Sequence, residues 1–409
     1  MKLKMRGRVL ILLLLGAILA ITPLLAGCGD SDELSGKKEI VIGFYGDFTG
    51  PAASAVYDNY LGFTDYFTMV REENLMPDVK INIPTYDSKS DRARAAPGYL
   101  KLRDQGSVLL WMGPSDAEAV LDRIQEDKIP TFCGSPTPDL LGADYTFWLC
   151  LPIKQEVEIL MTWINENWDY ASEGLPKIGV MGNAVSFWQA MADAVEAVCV
   201  QNPDKYDWLG SQMAPYGTSS WTAYIKKLES SDFIITALVG SPLASFVKEA
   251  RARGYENEFI SSYVGYLAFW QLMKASLSDE DLDGAVSSMP EPWWNDPSPF
   301  ISECEEYALK YHPDREIAYG STGYITGWAQ GMILTNAINR AVEKVGADNV
   351  TGAVLWDTLH EVDMTVEGWG NPWKITEDNN CFAKTARMMR YSAAEDKWVG
   401  ISDWIMPDY

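Results

Sequence analysis

Apolar residues are spaced in two ways along this chain, and the spacing separates strands from helices. Short apolar-rich runs at 40–45, 79–86, 107–112, 129–133 and 145–151 read as strands, and the most continuous of them as strands buried on both faces. Between the first two, Val56, Tyr60, Phe63, Phe67 and Val70 recur at steps of four and three, one face of a helix. A second helix carries Val120, Leu121 and Ile124. The pattern then restarts. A helix with Val157, Leu160, Met161 and Ile164 precedes strands at 177–181, 208–214, 233–239 and 258–264. Between these lie helical stripes at Met191, Ala194, Val195 and Val198, at Tyr224, Ile225 and Leu228, and at Leu243, Phe246, Val247 and Ala250, the last closed by Gly254. Farther on come a short strand at 285–289, a proline-rich stretch at 289–297, helices near 300–311 and 321–345, and a strand-turn-strand over 384–405. Strand and helix alternate twice over, which predicts an α/β fold of two similar, doubly wound, parallel-sheet lobes.

The first residues follow another logic. Lys2, Lys4, Arg6 and Arg8 precede an apolar run, 9–21, too short for a comfortable membrane span. Leu25-Ala26-Gly27-Cys28 then resembles the bacterial lipobox, whose cysteine is lipidated and becomes the mature N-terminus. On that reading 1–27 is a signal peptide, Cys28 an acyl anchor with chains enough for stable attachment, and the polar residues up to 38 a tether.

Composition narrows the chemistry. The chain of 409 residues has 57 acidic and 33 basic residues, a net charge of -24. Removing 1–27 takes away four basic and no acidic residues, so 29 basic residues face 57 acidic ones in the mature chain. That balance disfavours a nucleic-acid partner, which needs clustered positive charge. Two histidines, His312 and His360, exclude a His-rich metal site and argue against a Ser-His or Cys-His nucleophile pair. No C-x-x-C spacing suggests zinc, and no cofactor motif is present. Five cysteines follow Cys28, an odd number, and Cys133 and Cys150 end adjacent predicted strands, so they are either a disulfide or two buried thiols. The sixteen tryptophans have no evident role.

The lipobox followed by two α/β lobes resembles a solute-binding lipoprotein of an ABC transporter, in the branched-chain amino acid-binding group of type I periplasmic binding proteins. Ile42-Gly43-Phe44 with Thr49-Gly50-Pro51, Tyr86-Asp87-Ser88, Met112-Gly113-Pro114-Ser115, Cys133-Gly134-Ser135-Pro136-Thr137, and the unit from Asp232-Phe233 to Gly254 carry the resemblance. It implies three crossings between lobes, with lobe one at 39–153 and 289–370 and lobe two at 154–288 and 371–409. It also implies a ligand in the cleft, hinge closure around it, and delivery to a membrane permease.

Candidate ligand residues sit at the predicted strand exits. Ser115 and Ser241 either cap their helices or hold ligand; Asp116 either answers a ligand amine or favours a helix N-terminus. Ser135 and Thr137 either contact a carboxylate or face water in a proline turn. Of Phe187 and Trp188, in a Ser186-headed capping box, either can touch the ligand and one of them is core. Tyr57 and Tyr319 match positions that stack on ligand in relatives, or pack the hinge. Tyr263 stands where amino acid-binding members carry an acid that pairs with the ligand ammonium, and a phenol cannot supply that pair. The expected ligand is therefore a small molecule with a carboxylate or amide and an apolar or aromatic body. The expected output is transport through ABC permease subunits. The alternatives are a sensor subunit for a membrane signalling protein or a lipid-anchored hydrolase.

Overall fold

The structure is a computed structural model that describes residues 36–135, 137, 139–256, 258–315, 320–376 and 380–407. The signal segment and Cys28 lie outside the described residues, as does Tyr319. From Lys38 the chain forms one compact unit built on two sheets.

The first sheet contains β1 (Lys38–Gly46), β2 (Val79–Asn82), β3 (Thr85–Asp87), β4 (Ser107–Met112), β5 (Thr131–Cys133) and β6 (Thr146–Phe147). Its order is β2-β1-β4-β5-β6, all parallel, with β3 beside the end of β1. The single strand expected at 79–86 is two strands, because Pro84 has no N–H to give the ladder. Helices α1 (Ala53–Glu72), α2 (Ala95–Asp104), α3 (Pro114–Glu118) and α4 (Leu121–Asp127) connect them. Pleating sorts the strand residues. Ile42, Phe44, Leu109 and Trp111 face one core, and Tyr45, Leu110 and Met112 face another.

The second sheet contains β7 (Lys177–Asn183), β8 (Asp207–Ala214), β9 (Phe233–Ala237), β10 (Glu258–Ser261), β11 (Val286–Met289), β12 (Arg387–Ser392) and β13 (Lys397–Gly400). The order is β13-β12-β11-β10-β9-β7-β8, parallel from β8 to β11, with β12 and β13 antiparallel at the edge. Its helices are α5 (Ile153–Asn167), α6 (Tyr170–Glu173), α7 (Ser186–Gln201), α8 (Thr222–Leu228), α9 (Ser241–Ala252), α10 (Tyr263–Tyr266), α11 (Trp270–Ser276) and α12 (Asp279–Leu282). Three more follow β11: α13 (Pro299–Tyr311), α14 (Gly323–Val345) and α15 (Gly352–Leu359).

Helix α14 lies on α1 along a seam of glycines. A Cβ on Gly327 would stand 2.1 Å from the Asn59 carbonyl oxygen, and one on Gly62 would stand 2.1 Å from that of Tyr324. Only hydrogen fits at either position.

Tryptophans serve as packing. Trp148, Trp221, Trp293, Trp328, Trp373 and Trp398 are among the largest fully buried side chains, so the unexplained excess resolves mainly into core volume. Trp294 is buried as well and donates its indole N–H to the Ser321 carbonyl at 2.8 Å.

Cys133, Cys150, Cys199, Cys304 and Cys381 are all buried free thiols, so Cys133 and Cys150 form no disulfide. Burial pushes the Cys150 and Cys199 thiols up to about 12, where the reactive thiolate is scarce at neutral pH. A thiol reagent such as dithionitrobenzoate should leave the folded fragment 38–409 unmodified and titrate five thiols after guanidinium is added. Fewer than five on unfolding would contradict this assignment.

Candidate functional site

Both sheets share a winding order. In each, the first strand of the set has its second strand on one side and its third on the other, so the order reverses between β1 and β4 and between β7 and β9. Ligands of open α/β sheets bind beyond the carboxyl ends of the strands at such a reversal. Most of the residues singled out from the sequence follow these ends. Their surroundings differ from expectation in several places.

Ser115 is exposed and is the second residue of α3, whose N-cap is Gly113 without any side-chain cap. Ser115 therefore does not cap this helix, because Pro114 opens it two residues earlier than a Ser115 cap would. Ser241 is likewise the exposed first residue of α9 and not its cap, which is Gly240 at φ +60. Val185, not Ser186, caps α7, again without a side-chain bond. Asp116 is half-buried, and desolvation, then repulsion from Asp47, pushes its carboxyl up to about 6. Asp47 itself is saturated by the backbone N–H of Gly50 and Ala52 and the hydroxyl of Ser90.

Ser135 is half-buried, and Thr137 is buried with no hydrogen-bond partner for its hydroxyl. Trp188 is packed into the core beside α5, and Phe187 meets it edge-on at 4.8 Å. Tyr57 carries the Arg315 guanidinium over its ring at 4.7 Å. None of these residues reaches the cavity described next.

That cavity draws on both sheets. Gly134 follows β5, Cys150 follows β6, Tyr263 follows β10 and Glu291 follows β11; Thr326 and Gln330 of α14 and the indole of Trp369 complete it. Its volume open to the centre of a water-sized sphere is about 10 Å³, room for one water. Of the sequence candidates among the described residues, only Tyr263 lines it.

Two carboxyls missed in the sequence dominate this region. Glu291 is 2 % exposed, and burial pushes its carboxyl up to about 8 against the opposing help of Thr326 and Thr322. Thr326 Oγ1 lies 2.9 and 3.0 Å from its two oxygens and 2.9 Å from the Thr322 carbonyl. One hydroxyl proton cannot satisfy both acceptors, so a proton on Glu291 completes the set. Glu156 of α5 is 3 % exposed and accepts from the Ser288 hydroxyl and, at 3.2 Å, from the Tyr263 backbone N–H. Burial raises it to about 7, with these two bonds opposing. No cation contributes to either group's shift. Glu291 was visible only as an acid between two prolines in an apolar stretch, and Glu156 as an acid interrupting the stripe that continues through Val157 and Leu160.

Two doubly wound sheets whose strand exits meet in one polar cavity define the two-lobed α/β binding proteins of type I. The chain belongs to the periplasmic binding protein family, whose model matches residues 39–396; members are extracytoplasmic solute-binding proteins. No curated protein matches the sequence. A branched chain amino acid ABC transporter protein from Thermus thermophilus with bound valine superposes with TM-score 0.77 at 18 % identity, covering 91 % of this chain and 97 % of that one. A fatty acid ABC transporter substrate-binding protein from Thermomonospora curvata gives 0.77 at 16 %, covering 90 % and 92 %. The isoleucine complex of LivJ, a branched-chain amino acid transporter substrate-binding protein from Streptococcus pneumoniae, gives 0.72 at 17 %, covering 90 % and 100 %. Identities this low establish the fold.

Proposed function

We propose that this chain is a lipid-anchored receptor that captures a small molecule with a carboxylate or amide and an apolar or aromatic body, and hands it to the permease subunits of an ABC transporter. The observation that carries the reading is the cavity where exits of both sheets converge, bounded by Tyr263 and Trp369 and by the polar groups of Glu291, Thr326 and Gln330. Support comes from folds of the same type that hold valine and isoleucine. A fatty-acid binder of equal similarity keeps a longer apolar body within the class. Cys28 supplies the anchor, and the polar residues that follow it supply reach.

Each lobe is discontinuous on this reading, with 39–153 and 289–370 in one and 154–288 and 371–409 in the other. The chain leaves the first sheet after β6, leaves the second after β11, and returns to it at β12. Three side-by-side passages make a hinge stiff against twisting and soft against opening.

The test is ligand-dependent melting of the fragment 38–409 against amino acids, amides, aromatic acids and short fatty acids, with mass spectrometry of whatever co-purifies. A ligand at a hundred times its dissociation constant adds about 2.7 kcal/mol of stability, a rise of several degrees. A panel with no shift and a preparation with no bound small molecule would sink the proposal.

A further inference from the structure

The amino end of the first sheet, opposite the strand exits, carries aromatic side chains that the cavity leaves aside. One segment crosses that end in strand order. Asp348 pairs with Lys38, the first residue of β1, at 3.3 Å. Gly352 packs where β4 and β5 begin: a Cβ there would stand 2.2 Å from the Lys128 carbonyl oxygen and 3.1 Å from that of Val108. Trp356 then lies against Tyr145, the residue before β6, at 5.1 Å, and meets His360 edge-on at 4.6 Å. The turn just before Tyr145 adds Leu141, 44 % exposed. Tyr145 itself is held at φ +63, a left-handed conformation strained for a bulky residue and natural to glycine. That strain secures a half-buried ring at the rim of the core, beside a half-buried Trp356.

The N-terminal chain enters at this same end. Cys28 is ten residues before Lys38, at most about 35 Å of extended chain. Tyr145 lies three strand spacings from β1, about 14 Å. An acyl chain on Cys28 therefore keeps these aromatics within reach of a bilayer surface. Trp and Tyr, apolar in body and polar at one edge, concentrate at that boundary. A few such side chains bind weakly by themselves, and tethering makes the encounter intramolecular.

We propose that the amino end of the first sheet, at Leu141, Tyr145 and Trp356, is a resting contact with the lipid bilayer. This inference rests on the lipid-anchored reading and adds a face and an orientation to it. Asp144, Asp348 and Asp357 are exposed at the same end. They oppose deep insertion, so the contact is shallow and favours uncharged headgroups over anionic ones. The strand exits then stand one strand length from the bilayer, about 30 Å for the nine residues of β1. The cavity is held off the membrane until the contact is released.

The five native thiols of the domain are buried, so an introduced surface cysteine alone takes a dye. Asp144→Cys carries nitrobenzoxadiazole at the proposed face, and Val200→Cys, exposed on α7, carries it elsewhere. Each is made in the full chain, produced in a host that acylates lipoproteins and reconstituted in phosphatidylcholine vesicles. Each is also made in residues 29–409, held by an N-terminal hexahistidine on nickel-chelating lipid. On attachment the dye at 144 should shift to the blue and be quenched by lipids spin-labelled near the headgroup; the dye at 200 should do neither. Leu141→Glu, a surface change, and Trp356→Ala, checked for folding by circular dichroism, should each reduce the quenching several-fold.

Equal quenching at the two sites, no quenching at 144 in either preparation, or quenching that neither substitution moves overturns the contact and leaves the anchored receptor standing. A blue shift without vesicles that grows with protein concentration assigns the face to a second copy and overturns it as well. Quenching at 144 in the nickel-held chain, with no acyl group found on the full chain, keeps the bilayer contact and removes the lipid anchor.

Discussion

Gly327→Val should unfold the mature domain or destabilise it by about 3–5 kcal/mol, the range of severe core substitutions. The added Cβ would lie 2.1 Å from the Asn59 carbonyl oxygen and 2.7 Å from the Phe63 nitrogen. Both are backbone atoms of α1, so no side chain can swing aside. Separating the helices by the missing distance would also open the adjacent contacts of Gly62 with Tyr324, Gly323 with Ala55 and Gly331 with the Tyr66 ring. Ordinary overpacking costs about 1–3 kcal/mol; here several contacts fail together. Urea denaturation reads the effect as a lower midpoint at unchanged slope. Glu343→Ala, on the exposed face of the same helix, serves as control and should stay within about 0.5 kcal/mol. A Gly327→Val midpoint equal to wild type would show that the seam is not close-packed.

The second large effect is a stability that falls as pH rises. Glu291 and Glu156 hold their protons to about 8 and about 7 in the folded chain, and to about 4.5 when unfolded. Between those limits the folded state binds more protons, so the slope of unfolding free energy with pH is negative. The stabilisation is complete below about pH 4.5 and is lost as pH rises through 7 and 8. Each unit between the two states is worth about 1.4 kcal/mol, so the two carboxyls together should remove several kcal/mol between pH 5 and 8.

The groups facing them do not compensate. Ser288, Thr322 and Thr326 do not titrate, the Cys150 thiol sits near 12, and burial raises the thiol of Cys304 and the phenol of Tyr263 well above their ordinary values. Asp116, held near 6 at the first sheet's exits, adds a smaller slope of the same sign. Glu291→Gln with Glu156→Gln should flatten most of the profile, read as chemical denaturation at pH 5, 6, 7 and 8. A wild-type profile that is flat, or that rises, would contradict the neutral buried acids.

The fold was legible because its strongest signals are local. Runs such as 40–45 and 107–112 are apolar on both pleat faces, and only a strand covered on both sides calls for that. Elements were lost where a local rule met a tertiary one. Helix α2, with Pro97 and Gly98 inside it, was not among the predicted elements; Pro97 is tolerated in the first turn, and a Cβ on Gly98 would stand 2.3 Å from the Tyr45 ring. The serines at helix starts were read as caps or ligand contacts because Ser is a good cap, yet α3 starts at Pro114, two residues before a Ser115 cap would start it, and α9 starts at Ser241 itself, one residue before a Ser241 cap would.

The site was less legible, for a definite reason. Tyr263 was found through the resemblance, as the match to the acid that amino acid-binding members carry. Glu291, Gln330 and Trp369 come from segments 39 and 78 residues apart at their nearest and farthest, and nothing in the spacing of three such residues announces that one cavity gathers them. A polar residue on an apolar stripe, such as Glu156 or Gln330, is the signal that was present. It marks a buried polar group without telling what it faces.

Five cysteines that are inert in the folded domain are not inert while the chain is still unfolded outside the cytoplasm. Exported chains meet thiol oxidants, and Cys133, Cys150 and Cys381 are drawn into one core cluster while Cys199 and Cys304 go elsewhere. Any pair oxidised before burial would be a crosslink foreign to the native core. The maturation of this protein is therefore a race between collapse and oxidation, won when the thiols reach the interior first.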